Sequence, residues 1–134
     1  MEQIPDEYLD LFTEAAHAVL ATVMPDGTPH PTVVWVDIDD DGYVLVNTQR
    51  GRQKERNIMR EPKVGITVID PSDPYRYVSV LGEVEEVVED GARAHIGELG
   101  RRYEGVDDFE DRFPAEVTRV ILRIRPDRVI PVLA

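Results

Sequence analysis

The sequence predicts a mainly β fold: a small antiparallel barrel of six or seven strands, with two or three helices at its edge. Three observations predict it. Short apolar or alternating runs recur at hairpin spacing, separated by turn signals such as Asp26-Gly27 and Asp41-Gly42. Helical periodicity appears only in a few places and not between every pair of strands, which excludes a doubly wound parallel sheet. The length of 134 residues, 42% of them apolar, suits one domain around one core, so residues 1–134 are read as a single unit.

Residues 5–16 read as a first helix, with Pro5, Asp6 and Glu7 at its start and Tyr8, Leu11, Phe12 and Ala15 forming an apolar stripe. His17 to Met24 is a strand, and Pro25 to Pro29 turns the chain. Thr32 to Ile38 is almost wholly apolar and reads as a strand buried on both faces. The Asp39–Gly42 turn leads to a third strand, Tyr43 to Asn47, and then to a short helix that stops at Glu61-Pro62. Val64 to Ile69 is the fourth strand. Tyr75 to Glu89 is long for the fifth, and Gly82 marks a bulge or bend within it. Asp90 is positioned to cap a further helix carrying Ala92, Ile96, Leu99 and Tyr103 on one face. An acidic loop over 104–115 follows. Val117 to Ile124 is a strand in which Val120, Leu122 and Ile124 share a face and Arg119, Arg123 and Arg125 fall between or after them; Arg128 to Val132 is the last.

Charge narrows the function. There are 27 acidic residues against 15 basic ones, a net charge of −12, which disfavours nucleic acid as a partner because phosphate needs a broad basic surface. Only Lys54 and Lys63 are lysines, a bias that fits adaptation to high salt as well as an ordinary acidic protein kept soluble by its charge. No apolar run reaches membrane-spanning length and no basic-then-apolar leader opens the chain, so the expectation is a cytoplasmic protein without a membrane partner. The absence of cysteine removes disulfides, thiolate metal sites and cysteine nucleophiles.

Against that background one stretch stands out, Asn47-Thr48-Gln49-Arg50-Gly51-Arg52-Gln53-Lys54-Glu55-Arg56-Asn57. Residues 1–49 contain no Lys or Arg, and five basic residues then occur from Arg50 to Arg60. Gly51 allows close approach of a ligand, while Arg52 and Lys54 bring a planar fork and a point charge toward one anion. Arg56 and Arg60 lie one helical turn apart and suit a solvent face. A solvated basic helix, paired to nearby acids, accounts for the same spacing. It is not a Walker loop.

Other constellations carry less. Asp37 to Gly42 resembles the opening of a calcium loop, but Thr48 stands where the bidentate Glu belongs, so an exposed hairpin is the better account. His17, His30 and His95 share no ligand spacing; His95 lies off the apolar stripe of its helix and reads as a surface residue. No metal site and no catalytic side chain is nominated. Tyr75 and Tyr77 share a strand face, where they pack across strands or cover an aromatic ligand.

Val19-Leu20-Ala21-Thr22, the Pro25–Trp35 segment, the Gly51–Asn57 segment, Glu61-Pro62-Lys63-Val64 and Pro74-Tyr75-Arg76-Tyr77 together resemble the pyridoxamine 5′-phosphate oxidase-like split β-barrel proteins. Within that superfamily the likeness is greatest to small deazaflavin-dependent oxidoreductases, which use coenzyme F420. It runs from about residue 5 to 130. The resemblance implies a homodimer with the cofactor at the subunit interface and hydride transfer to a small unsaturated substrate. It implies that Arg52, Lys54 and Asn57 hold the cofactor's phosphate and acidic tail, with Asn47, Thr48 and Arg50 extending the grip. His30, Pro31, Thr32, Val33 and Val34 would run beside the ring. Tyr75 and Tyr77 would line the ring or substrate pocket, in part from the other subunit. FMN is the alternative cofactor, for an FMN-dependent pyridoxamine-phosphate-oxidase-like oxidoreductase, and a non-catalytic flavin or deazaflavin binder is a further alternative; the run of cations favours the longer anion of coenzyme F420.

Overall fold

The computed structural model describes residues 1–131. Seven antiparallel strands form one sheet in the order β2-β1-β5-β6-β7-β4-β3. They are β1 (His17–Val23), β2 (Pro29–Val34), β3 (Val36–Ile38), β4 (Val44–Gln49), β5 (Lys63–Asp70), β6 (Asp73–Val88) and β7 (Arg119–Pro131). The two edge strands, β2 and β3, are joined in sequence by Trp35 alone. The sheet must therefore curl until its edges nearly meet, giving a half-barrel. Helices α1 (Leu9–Thr13), α2 (Gln53–Arg60) and α3 (Ala92–Glu104) lie around it, with 3-10 turns at Asp6–Tyr8 and Phe109–Arg112.

Alternation fills the barrel. Ala18 and Leu20 of β1, Val44 and Val46 of β4, Val78 and Val80 of β6, and Val120, Leu122 and Ile124 of β7 are fully buried, and Phe12 closes one end. Gly82 is required where β6 bends: a Cβ there would lie 1.9 Å from the Arg125 carbonyl oxygen, and the β6–β7 register shifts at that point.

Some expectations change. The apolar run Thr32 to Ile38 is not one strand buried on both faces; it breaks at Trp35, and Val33 is 77% exposed because the outer face of β2 is uncovered. The last two expected strands are one continuous strand, β7, long enough to pair with both β4 and β6; Val132 lies outside the described residues. The first helix is only a 3-10 turn and five residues of α1. Helix α3 begins after Gly91 with no side-chain cap, so Asp90 caps nothing. Among the described residues no helix is long and apolar enough to cross a membrane.

Candidate functional site

The start of α2 and the start of β7 converge on a cleft of about 240 Å³. Its lining is Val33, Val34 and Trp35 from the β2–β3 corner, Asn47 and Thr48 from β4, Arg52 and Lys54, Ile96 of α3, Phe109, Phe113 and Arg119. Three of these residues are cationic and none is a carboxylate. On a chain of net charge −12 that is a strong local inversion.

The cations feel it. Lys54 is half-buried, and burial first, then the charges of Arg52 and Arg119, hold its ammonium below the usual lysine range. Arg119 is only 8% exposed; burial and the neighbouring Arg52 push it down to about 10. Both shifts record a cost of keeping these groups charged, and an anion in the cleft would relieve it. Arg119 is held by its Nε, which donates to Asn47 Oδ1 at 2.9 Å, and its guanidinium lies 4.5 Å from the centre of the Phe113 ring.

An aromatic wall bounds the cleft. Trp35 stacks on Tyr103 at 4.9 Å between ring centres, and Phe109 meets Trp35 at 5.1 Å and Phe113 at 5.8 Å. The wall depends on a small residue in α3: a Cβ at Gly100 would come within 2.2 Å of the Phe109 Cβ. Tyr103 ties the wall to the barrel, donating from its hydroxyl to the Ala16 carbonyl at 3.0 Å and accepting from the Val36 N–H at 3.0 Å.

The basic stretch separates on inspection. Arg52 and Lys54 reach the cleft. Arg50 instead pairs with Glu89 at 2.6 Å and Glu55 at 3.7 Å. Arg56 bonds the Gly51 carbonyl and Gln53, and Arg60 bonds the Val23 carbonyl, as expected for surface roles. Glu55 is buried and accepts from the Gly51 N–H at 2.8 Å, so the one acid of the stretch stabilises the loop and is turned from the cleft.

Asn57, expected beside the anion, lies apart from the cleft. It is fully buried beneath α2, donating to Thr22 Oγ1 at 3.0 Å and accepting from Gln53 at 2.8 Å, and does not line the cleft. Asn47 lines it, but its side chain is committed to Arg119, Ala92 and His95. Tyr75 and Tyr77 are on the outward face of β6, away from this cleft, and Tyr75 is 83% exposed. His95 needs correction: it is not on the surface but buried, with Nε2 3.0 Å from Asp37 Oδ2 and Nδ1 3.1 Å from Asn47 Nδ2. Arg119, Trp35, Phe109 and Phe113 line the cleft without any sequence signal that marks them as site residues. An arginine alternating with core residues on a strand, as Arg119 does, also suits a solvent face.

On β2, His30, Thr32 and Val34 alternate toward the interior while Pro31 and Val33 point out. His30 Nδ1 and Thr32 Oγ1 are buried without a hydrogen-bond partner. Buried polar atoms are seldom left so. Neither residue lines the cleft of Arg52, Lys54 and Arg119. Among the described residues no cluster of ligands could hold a metal ion.

Comparisons with known proteins identify relatives of the whole chain. The family described as "Pyridoxamine 5'-phosphate oxidase" matches residues 4–133. A solved structure named F420 reductase is 38% identical, with a TM-score of 0.81, covering 94% of this chain and 98% of that one. A conserved hypothetical protein, Rv2991 from Mycobacterium tuberculosis, is 29% identical at a TM-score of 0.74, covering 98% of this chain and 89% of that one. A putative pyridoxamine 5'-phosphate oxidase from Listeria innocua, at 19% identity and a TM-score of 0.68 over 96% of this chain and 98% of that one, shares the fold. No curated protein matches.

Proposed function

The chain belongs to the pyridoxamine 5′-phosphate oxidase family, and on that premise we propose that it is an oxidoreductase that binds coenzyme F420 and reduces a small unsaturated acceptor. The observation that carries this reading is the cleft in which Arg52, Lys54 and Arg119 meet without a carboxylate. The 38% identity to an F420 reductase supports the choice of deazaflavin over FMN.

The protein's own part is binding, orientation and exclusion of water. Arg52 at the mouth and the half-buried Lys54 and Arg119 hold the phosphate and tail carboxylates, each charge-assisted hydrogen bond contributing about 1.5–3 kcal/mol. Trp35, Phe109 and Phe113 wall that end from solvent. His30 Nδ1 and Thr32 Oγ1 provide unpaired polar atoms for the ring's edge. When bound, the deazaflavin supplies the hydride. No side chain is assigned as acid or base.

A homodimer belongs to the same proposal. The outward face of β1, β2 and β6 carries exposed apolar residues, Val33 at 77% and Leu81 at 40%, and a groove of about 430 Å³ runs past Ala21, Val23, Pro29 and Leu81 with Lys63, Glu83, Asp127 and Arg128 also lining it. In that dimer Tyr75 and Tyr77, off their own chain's cleft, reach the pocket of the partner. The chain's molar mass in solution checks this.

Fluorescence titration with coenzyme F420, beside FMN at the same salt, tests the cofactor. Saturable F420 binding with weaker FMN binding is expected. Binding of FMN alone would make the protein a flavin enzyme. F420 binding without reduction of any enone, quinone or tetrapyrrole acceptor would make it a carrier.

A further inference from the structure

Asn47 stands where two hydrogen-bond networks meet. Its Nδ2 donates to the Ala92 carbonyl at 2.8 Å and faces His95 Nδ1 at 3.1 Å, while its Oδ1 accepts from Arg119 Nε at 2.9 Å. A carbonyl only accepts and a guanidinium only donates, so the amide has one orientation. His95 Nδ1 then faces an N–H and must offer its lone pair. The ring proton lies on Nε2 and is donated to Asp37 Oδ2 at 3.0 Å. Asp37's other oxygen takes Arg102 at 3.1 Å. Burial raises the Asp37 carboxyl, but the bond from His95, the Ile38 N–H and the Arg102 charge outweigh it and hold the group ionised below its ordinary range.

We propose that Asp37, His95 and Asn47 are positioning residues that aim Arg119 at the anion bound in the cleft. This rests on the cleft being the cofactor's anion site. Asp37 holds the ring proton on Nε2, the His95 lone pair thus set joins the Ala92 carbonyl in gripping the Asn47 amide, and the amide oxygen fixes Nε. The Phe113 ring holds the guanidinium plane from one side. Nε is thereby used, and no other hydrogen bond among the described residues engages the Arg119 side chain. Both terminal nitrogens are left for a ligand. A guanidinium already locked in its binding rotamer loses little entropy when the anion arrives.

A double-mutant cycle on the full chain, read by fluorescence titration with coenzyme F420 at fixed pH and salt, tests the relay. Arg119→Gln weakens binding on the order of tenfold, the loss of one charge-assisted bond. His95→Leu weakens it by about threefold to tenfold when Arg119 is present and by less than about twofold when it is Gln, because His95 acts through that guanidinium. His95→Asn keeps an acceptor near the Nδ1 position, so it restores most of the affinity lost in His95→Leu. In the ligand-free protein, nitrogen NMR of the His95 ring reports the proton on Nε2. The Arg119 Nε–H signal exchanges slowly in the wild type and is lost in His95→Leu. An equal loss from His95→Leu with and without Arg119, or a proton on Nδ1 in the free protein, overturns the proposal. If the wild type fails to bind coenzyme F420, the cofactor reading falls, and the two NMR signals still decide whether the relay exists.

Discussion

Arg119 and Arg123 are four residues apart on β7, point to the same side of the sheet and live in opposite electrostatic worlds. Arg123 is ringed by Asp39 at 2.8 Å, Glu86 at 2.9 Å and Asp41 at 3.1 Å, and its pKa is raised, first by the hydrogen bond to Asp39. Arg119 has Arg52 and Lys54 for neighbours, no carboxylate, and is pushed down to about 10. Arg76 and Arg125 follow the Arg123 pattern, each held by two acids. Even on so acidic a chain, among the described residues only Arg50, Arg76, Arg102, Arg112, Arg123 and Arg125 pair with a carboxylate, and most of the other cations are exposed to water instead. The informative cations are the ones both buried and left without a carboxylate, Lys54 and Arg119, because burial makes their charge costly and no acid offsets it.

The largest expected effect comes from removing the unpaired cations. Arg52→Ala with Lys54→Ala takes away two charge-assisted contacts and should weaken coenzyme F420 binding on the order of a hundredfold, with the fold retained. Arg123→Ala should leave that affinity within about twofold, since its charge is already neutralised by neighbours. Equal losses in both variants by fluorescence titration would erase the distinction between the two kinds of arginine.

Next comes Asn57, which separates a buried amide from a ligand contact. Asn57→Ala strands the Thr22 hydroxyl and Gln53 beneath α2 and should cost about 1–3 kcal/mol in chemical denaturation. Affinity per folded molecule should stay the same. A stable variant with weak binding would return Asn57 to the cofactor.

These residues show what the sequence could reveal. Strand alternation announced the core positions Val120, Leu122 and Ile124, and the Asp-Gly turns and Gly82 bend followed from local chemistry. Arg52 and Lys54 stood out because sign reversal along a chain is a one-dimensional signal. His95 and Arg119 did not, because what distinguishes them is the neighbour each meets across the sheet. Asp37 lies 58 residues from His95, and Asn47 72 residues from Arg119. The break at Trp35 was hidden for the same reason: a run of apolar residues does not say where a sheet runs out of partners.

Alkaline pH probes the contrast more gently. In the free protein Arg119 sits at about 10, lowered by burial and by Arg52. A bound anion raises it again, so binding takes up a proton between the free and bound values. Affinity should be full below the free value and fall as pH rises through about 10. Titrations from neutral pH to above that value should reveal the decline, and Arg119→Gln should remove the Arg119 part of it while the Lys54 part persists. A decline of undiminished size in that variant would assign all of it to Lys54.

The smallest effect is expected where the contacts look most numerous. Arg123 makes three ion pairs and lies 3.5 Å over the Tyr43 ring, yet its partners Asp41 and Glu86 are 78% and 55% exposed. Water screens such pairs, and holding four flexible side chains in one arrangement costs entropy, so Arg123→Ala should lower stability by only about 0.5–1 kcal/mol. The raised pKa carries the sign: the contribution is complete below the arginine's unfolded value and lost only as pH rises past it, so neutral pH changes nothing. Salt does change it. Thermal unfolding at about 1 M salt, where the Debye length is near 3 Å, should shrink the difference between variant and wild type. A loss of several kcal/mol that survives high salt would mean that the Asp39 pair, with the lesser exposure at 24%, behaves as a buried one. Arg123 would then anchor the β3–β4 turn to β7, and its paired state would be as costly to undo as the unpaired state of Arg119 is to maintain.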